Sequence, residues 1–364
     1  MPRGGDPACR TGGRPRAGGW SATDRGSLVI GRLPDADRHT HSPNTEHKKL
    51  AANTSLPAEP LTDEIPLSLW GRNDLRVLPW ERDPVDLGFH SYTYLVGSDS
   101  DMYVAKCVPA DQGPKFTSGL KVALVVEDHG IPAGAPLPTV EGEVTAYHGE
   151  WCWALLRHLD GGRVDENDPV HLRRAGETLG AIHTALVGTP PPPDILRFDQ
   201  LDVMMVAPAP FLEDKPWIQQ AMREAHETVS GRLTMGLIHS DASMNTFRVK
   251  PDSMGLFDWG EVMYGPFLFD VATALSYLDE SVDVGPLLRG YMTKSPVPRS
   301  ELPLLGTLLK FRAAAEAWIY ARREWVGNDI GNHGDLSNAN LLDRARKNLA
   351  SAEQDGERFL SQFA

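Results

Sequence analysis

One stretch constrains what the rest of this chain can become. It is Leu237-Ile-His-Ser-Asp-Ala-Ser-Met-Asn-Thr-Phe-Arg-Val249, followed closely by Gly255-Leu-Phe-Asp-Trp-Gly260. Apolar Leu237 and Ile238 lead into His239 and Asp241. After Asn245, the alternation Phe247-Arg248-Val249 has the period of a half-buried strand. A Pro251-Asp252 turn follows, and Leu256-Phe257 lead into Asp258. The pattern predicts strand, polar loop, strand, turn, strand, with Asp241, Asn245 and Asp258 at the ends of short buried strands. Two carboxylates and an amide oxygen so placed suit phosphoryl transfer. One carboxylate orients the attacking hydroxyl and takes its proton. The amide oxygen and the second carboxylate hold Mg2+ against nucleotide phosphates.

These residues resemble the aminoglycoside phosphotransferase family, which shares the protein-kinase fold. His239-Ser-Asp241 stands for the family's His-Gly-Asp, and Asp258-Trp-Gly260 for its Asp-aromatic-Gly. Gly265-Pro266 with Asp270-Val-Ala272 resembles the next signature, whose aspartate braces the catalytic loop. Two departures stand out. Ser240 replaces the family's glycine, and the step from Asp241 to Asn245 is one residue shorter than the family's. A residue extends a chain by roughly 3.3–3.6 Å, so a tighter loop is expected here.

The resemblance covers about Leu87 to Tyr320 and is clearest from Leu237 to Leu275. It implies an α+β fold of two lobes, a small β-rich N-lobe and a larger, mainly helical C-lobe. It implies transfer of the γ-phosphate of ATP or GTP to a small-molecule hydroxyl, with Asp241 as base and Mg2+ on Asn245 and Asp258. Acceptors in the family include aminoglycosides and other antibiotics, choline and amino-acid-like hydroxyl compounds. The acceptor pocket is expected among second-lobe helices, around Trp217, Asp279, Glu280 and Trp318. A rival reading is a degenerate scaffold that binds nucleotide or a partner without catalysis. A protein kinase is disfavoured, because His239-Ser-Asp241 lacks the His-Arg-Asp arginine.

Taken in order, residues 1–60 are rich in Gly, Pro and Arg and then mostly polar. Such a stretch buries too little apolar surface to offset its ordering entropy, so a disordered extension is expected. Residues 61–157 read as the N-lobe. Asp86–Val96 reads as a glycine turn, with Gly88, running into an alternating strand, Gly97–Asp101 turns the chain, and Met102–Val108 returns. By the resemblance, Gly88 and Ser91 lie over the phosphates and Lys106 reaches them. A helix is predicted from Lys115 to Gly130. The glutamate that pairs with the strand lysine in kinase-like folds is missing from it, so a partner such as Asp111 is expected for Lys106. After Ile131–Pro138, a second hairpin runs through Glu150–Leu156, and Leu156 to Leu159 are expected to line the nucleotide base.

Residues 158–364 read as the helical C-lobe. Helices are predicted over Val170–Leu186, Trp217–Leu233, Asp270–Leu278 and Leu302–Glu324, the last burying Leu304 through Ile319 on its apolar positions. His183 falls inside the first and is expected to be a packed core histidine. Near the end, His333-Gly-Asp-Leu-Ser-Asn-Ala-Asn340 imitates the catalytic loop. No apolar strand precedes it and a helix follows, so Asp335 or Ser337 is expected to cap that helix, and Asp335 to be dispensable.

At 364 residues the chain is long enough for two lobes with cores of their own. A net charge of −13 disfavours nucleic acid as a partner. No apolar run reaches the roughly 18 residues of a membrane span. Cys9, Cys107 and Cys152 are scattered, which fits a reducing cytoplasm. Nothing in the pattern separates monomer from dimer.

Overall fold

The computed structural model describes residues 59–79, 91–329, 332 and 336–363. The disordered extension expected over 1–60 falls outside the described residues up to residue 58, as do Gly88, His333, Gly334 and Asp335.

The first part is an antiparallel sheet. Its strands are β1 (Arg76–Val77), β2 (Tyr92–Gly97), β3 (Met102–Pro109), β4 (Ala146–His148) and β5 (Trp151–Arg157), in the order β1-β2-β3-β5-β4. The predicted hairpin forms: β2 and β3 pair from Tyr92–Cys107 to Gly97–Met102. Strand alternation sorts the two faces. Tyr94, Val96, Ala105, Cys107, Trp153 and Leu155 pack with Ile65, Trp70 and Leu75 from the segment before β1. On the other face, Val108, Cys152, Ala154 and Leu156 pack with Phe116 and Leu120 of helix α1 (Gly113–Asp128). Lys106 lies between Ala105 and Cys107 in β3, so its side chain projects on the α1 face.

The Pro-rich connector after α1 is not free of structure. Leu137 N–H donates to the Leu155 carbonyl at 2.7 Å, and Arg157 N–H to the Ala135 carbonyl at 3.0 Å, so it runs along β5. Glu127, near the end of α1, accepts from Ala135 N–H at 2.9 Å and from Arg157 Nη1 at 3.1 Å.

The second part begins with α2 (Pro169–Leu186). Asp168 caps it by accepting from Val170 N–H at 2.8 Å. The predicted face of Leu172, Ala175, Leu179, Ile182 and Leu186 is buried. There follow β6 (Leu196–Arg197), α3 (Pro216–Val229), β7 (Met235–Ile238), the hairpin β8 (Phe247–Val249) and β9 (Met254–Leu256), and β10 (Met263–Pro266). Strand β10 lies between β6 and β7. Helices α4 (Phe267–Ser276), α5 (Gly285–Lys294), α6 (Leu305–Val326) and α7 (Asn338–Phe363) complete the lobe. Leu305, Leu308, Leu309 and Phe311 of α6 are buried as predicted, whereas Ile319 is 37% exposed, on the helix's outer side. Ser337 caps α7, its Oγ accepting from Asn340 N–H at 3.2 Å. Among the described residues, no helix is long and apolar enough to cross a membrane.

Candidate active site

The strand-loop-strand reading is what forms. β7 ends at Ile238, and the next two backbone N–H groups are taken by one buried carboxylate. His239 N–H donates to Asp270 Oδ2 at 2.7 Å, and Ser240 N–H to Asp270 Oδ1 at 2.6 Å. Asp270 stands in the first turn of α4 and is fully buried. His183 shares Oδ2 at 3.0 Å through Nε2, and its Nδ1 meets Tyr291 Oη at 2.9 Å. It is a buried structural histidine, as expected, and it completes the brace.

Ser240 has φ of 64°, in the left-handed region where the family's glycine is at ease. The serine recovers part of that strain, because its Oγ donates to the Glu261 carbonyl at 2.5 Å. The shortened step is absorbed by a single 3₁₀ turn, Met244–Thr246, in which Thr246 N–H donates to the Ser243 carbonyl at 3.0 Å. Asn245 is exposed on that turn. Thr246 in turn receives Phe257 N–H on its carbonyl at 3.0 Å, tying the loop to the residue before Asp258.

Asp258 also has a positive φ, 72°. Its Oδ1 accepts from Lys106 Nζ at 2.5 Å, across 152 residues of sequence. Desolvation pushes the half-exposed Asp258 carboxyl up, but the charge and hydrogen bond of Lys106, aided by His239 and the Gly260 N–H, outweigh it and hold the group below its ordinary value. The lysine partner is therefore Asp258, not Asp111. Helix α1 offers the opposite polarity, since Lys115 Nζ donates to Glu261 Oε2 at 2.5 Å. Gly119 explains how close α1 comes: a Cβ there would stand 2.0 Å from the Trp259 carbonyl oxygen.

A family model described as a phosphotransferase enzyme family matches residues 81–304, more than half of the chain. The chain belongs to that phosphotransferase family. A homoserine kinase of Methylobacillus flagellatus is 25% identical over 193 residues, which are 52% of this chain and 60% of that protein, under two thirds of its length. Among solved structures, an amicoumacin kinase bound to AMP-PNP, Ca2+ and Ami superposes with a TM-score of 0.61 at 14% identity, covering 86% of this chain and 94% of that one. A microcompartment-associated aminopropanol kinase gives 0.53 at 18% identity, covering 79% and 93%. At these identities the two structures share the fold: a β-sheet lobe joined to a helical lobe, as the family resemblance implied.

The other expected residues sit as follows. Ser91 is buried immediately before β2, and Leu156 is buried on the α1 face of the sheet. Leu159 packs over Gly255 and Gly134, where an added Cβ would come within 3.0 and 3.7 Å of it. Trp318 packs edge-on against Phe211, and Asp279 accepts from Ser281 N–H and Oγ at 2.9 and 2.7 Å. Among the described residues, no cluster of three or more His, Cys, Asp or Glu could hold a metal. The carboxylate of Asp258 and the amide oxygen of Asn245 are hard oxygen donors of the type Mg2+ takes, one or two from protein with phosphate and water completing its shell.

Asp241 is half-exposed, and its Oδ1 accepts from Tyr277 Oη at 3.1 Å and Arg312 Nη2 at 3.3 Å. Desolvation pushes Tyr277 well above the ordinary tyrosine value; Arg312 opposes this and Asp241 adds to it. The phenol therefore keeps its proton and donates. Tyr277 and Arg312 were not singled out from sequence. The available signal was a pair, Arg312 and Glu316, four residues apart on a helix whose neighbouring positions are apolar.

Proposed function

We propose that this protein is a small-molecule kinase that moves the γ-phosphate of ATP or GTP to a hydroxyl, with an amino alcohol or an aminoglycoside-like antibiotic as acceptor. The observation that carries this reading is the Lys106–Asp258 contact at 2.5 Å. It joins a sheet lysine to a carboxylate that follows the braced loop holding Asp241. Phosphoryl transfer asks a protein mainly for positioning and charge neutralisation, and these are the groups it uses.

Asp241 orients the acceptor hydroxyl and accepts its proton as the acceptor oxygen bonds to the γ-phosphorus. The bond from that phosphorus to the β,γ-bridging oxygen breaks, and the nucleoside diphosphate leaves. Lys106 binds the phosphates, with Gly88 and Ser91 over them and Leu156 and Leu159 against the base. When bound, Mg2+ on Asp258 and Asn245 would neutralise phosphate charge. Residues 61–157 act as the nucleotide lobe and residues 158–364 as the acceptor lobe. The free buried thiols Cys107 and Cys152 suit a cytoplasmic enzyme.

The acceptor classes are supported by the kinases this chain resembles, named for homoserine, aminopropanol and amicoumacin. The test is to incubate the protein with Mg2+, ATP or GTP and a panel of homoserine, aminopropanol, choline and aminoglycosides. The expected result is acceptor-dependent diphosphate release with a gain of one phosphate in acceptor mass, lost in Asp241→Asn by about 10²–10⁴-fold. Full activity in Asp241→Asn would overturn the assignment of the base. No turnover with any acceptor, despite Mg2+-dependent nucleotide binding, would favour the degenerate scaffold.

A further inference from the structure

Arg312 reaches the loop from α6, 71 residues beyond Asp241. Its Nη1 donates to the Ser240 carbonyl at 3.1 Å. Its Nη2 donates to Asp241 Oδ1 at 3.3 Å and to Tyr277 Oη at 2.7 Å, and its Nε to Glu316 Oε1 at 3.1 Å. The Arg312 side chain is 13% exposed and that of Glu316 7%. A desolvated guanidinium needs a carboxylate partner and acceptors for its remaining N–H groups. Glu316 takes Nε, and the acceptors that Nη1 and Nη2 find on the loop are the Ser240 carbonyl and the Asp241 carboxylate. These two loop bonds fix the loop's backbone and its carboxylate together.

The proton count at Tyr277 agrees with this arrangement. A phenol has one O–H and lone pairs to spare. It accepts from Arg312 and donates to Asp241 Oδ1 at 3.1 Å. Among the described residues, both side-chain donors to the Asp241 carboxylate therefore fall on Oδ1, and Oδ2 is the oxygen left to face an acceptor hydroxyl. A carboxylate held by one oxygen from two directions loses its rotational freedom, which is the orientation a proton acceptor needs.

We propose that Arg312 is a positioning residue for phosphoryl transfer, acting through Asp241 with Tyr277 as its second contact. The inference rests on the reading of Asp241 as the base. Its fingerprint is a fall in kcat with little change in acceptor or nucleotide KM. A residue that only braces the fold would lower stability without such a split.

The full chain is compared with Arg312→Met, Arg312→Lys and Arg312→Ala in steady-state transfer and in Mg2+-nucleotide thermal shift. Arg312→Met is expected to lose about a hundredfold in kcat, the cost of a small misplacement of a reacting group. Nucleotide binding should stay within about twofold. Arg312→Lys, a point charge that cannot bridge Ser240 and Asp241, should recover only part of the loss. Added guanidinium ion should restore activity to Arg312→Ala. In an Asp241→Asn background, Arg312→Met should add nothing further, since the two act as one unit. Arg312→Met with kcat within twofold of the parent, while Asp241→Asn is inactive, overturns the inference and leaves the base standing. Loss that tracks unfolding and is not rescued by guanidinium overturns it as well. An active Asp241→Asn overturns the reading beneath both. Should Arg312→Met fail to fold, Tyr277→Phe replaces it. A kcat loss at unchanged KM then supports the clamp, and an unchanged kcat refutes it.

Discussion

Asp241 and Asp258 are both carboxylates that meet a cation beside a left-handed backbone turn, yet they are held in different ways. The Asp241 loop is set from within the helical lobe. Asp270, His183 and Tyr291 brace its backbone, and Tyr277 and Arg312 hold its side chain. Asp258 depends on a partner from the other lobe, Lys106 of β3, and on α1 seated against Trp259. Ser240 and Asp258 are the two non-glycine residues with positive φ among the described residues. Such conformations cost about 1–3 kcal/mol and persist where surrounding contacts over-determine them. The comparison teaches that the Asp241 loop is preset within one lobe, whereas the position of Asp258 is assembled by the contact between the two.

The largest expected effect tests the preset half. Asp270→Ala removes the acceptor for two backbone N–H groups and one imidazole, all buried. Breaking such a buried network costs about 3–5 kcal/mol. Denaturant unfolding should show that loss, together with loss of transfer. A drop under 1 kcal/mol would mean the loop keeps its shape without the brace, and the contrast with Asp258 would fail.

Asp258→Ala comes next and tests the assembled half. Nucleotide at about 100 times its dissociation constant should stabilise the parent by roughly 2.7 kcal/mol, and the part of this that depends on Mg2+ should vanish in the variant. Thermal unfolding with ATP, with and without Mg2+, reads it directly, and an unchanged Mg2+ dependence would remove Asp258 from the metal site. Gly119→Val should be smaller. Its Cβ would meet the Trp259 carbonyl oxygen at 2.0 Å, so α1 or the turn must move, at a cost of about 1–3 kcal/mol. Nucleotide affinity should fall with it. Lower stability at unchanged nucleotide affinity would show that the seating of α1 does not govern Asp258.

Much of the candidate site was legible because its parts are local. His239 and Asp241 follow β7 and Asp258 follows β9, short strands whose apolar residues are visible in the chain, and Asp270 stands in the first turn of a helix that begins one residue after Pro266. What was not legible is long-range pairing. For Lys106 the sequence suggests only a nearby partner such as Asp111, because no spacing rule reaches across 152 residues to Asp258. Arg312 was hidden for a similar reason, since a charged residue on a long apolar helix reads as solvated until its face is known. Periodicity also extended the buried stripe of α6 to Ile319, whereas that position turns outward. The segment holding Trp70 gave no strand or helix signal, although its indole donates to the Leu137 carbonyl at 3.0 Å and the segment covers the outer face of the sheet.

The smallest expected effect lies at Ser240, where this chain departs from the family. Glycine there would relieve a left-handed serine, worth about 1–2 kcal/mol. It would also remove the Oγ bond to the Glu261 carbonyl, worth about 0.5–1.5 kcal/mol. The two terms oppose each other and nearly cancel, so Ser240→Gly should change unfolding stability by less than about 1 kcal/mol. The informative readout is therefore kinetic. The Oγ bond is a direct tie between the Asp241 loop and the turn after Asp258, because Glu261 closes that turn. If the two carboxylates work as a coupled unit, Ser240→Gly should weaken transfer several-fold while leaving stability and nucleotide binding in place. If the variant transfers phosphate as well as the parent, the base and the metal arm are registered by the packing of His239 on Trp259 and by the Phe257–Thr246 bond, and the serine is only a tolerated replacement.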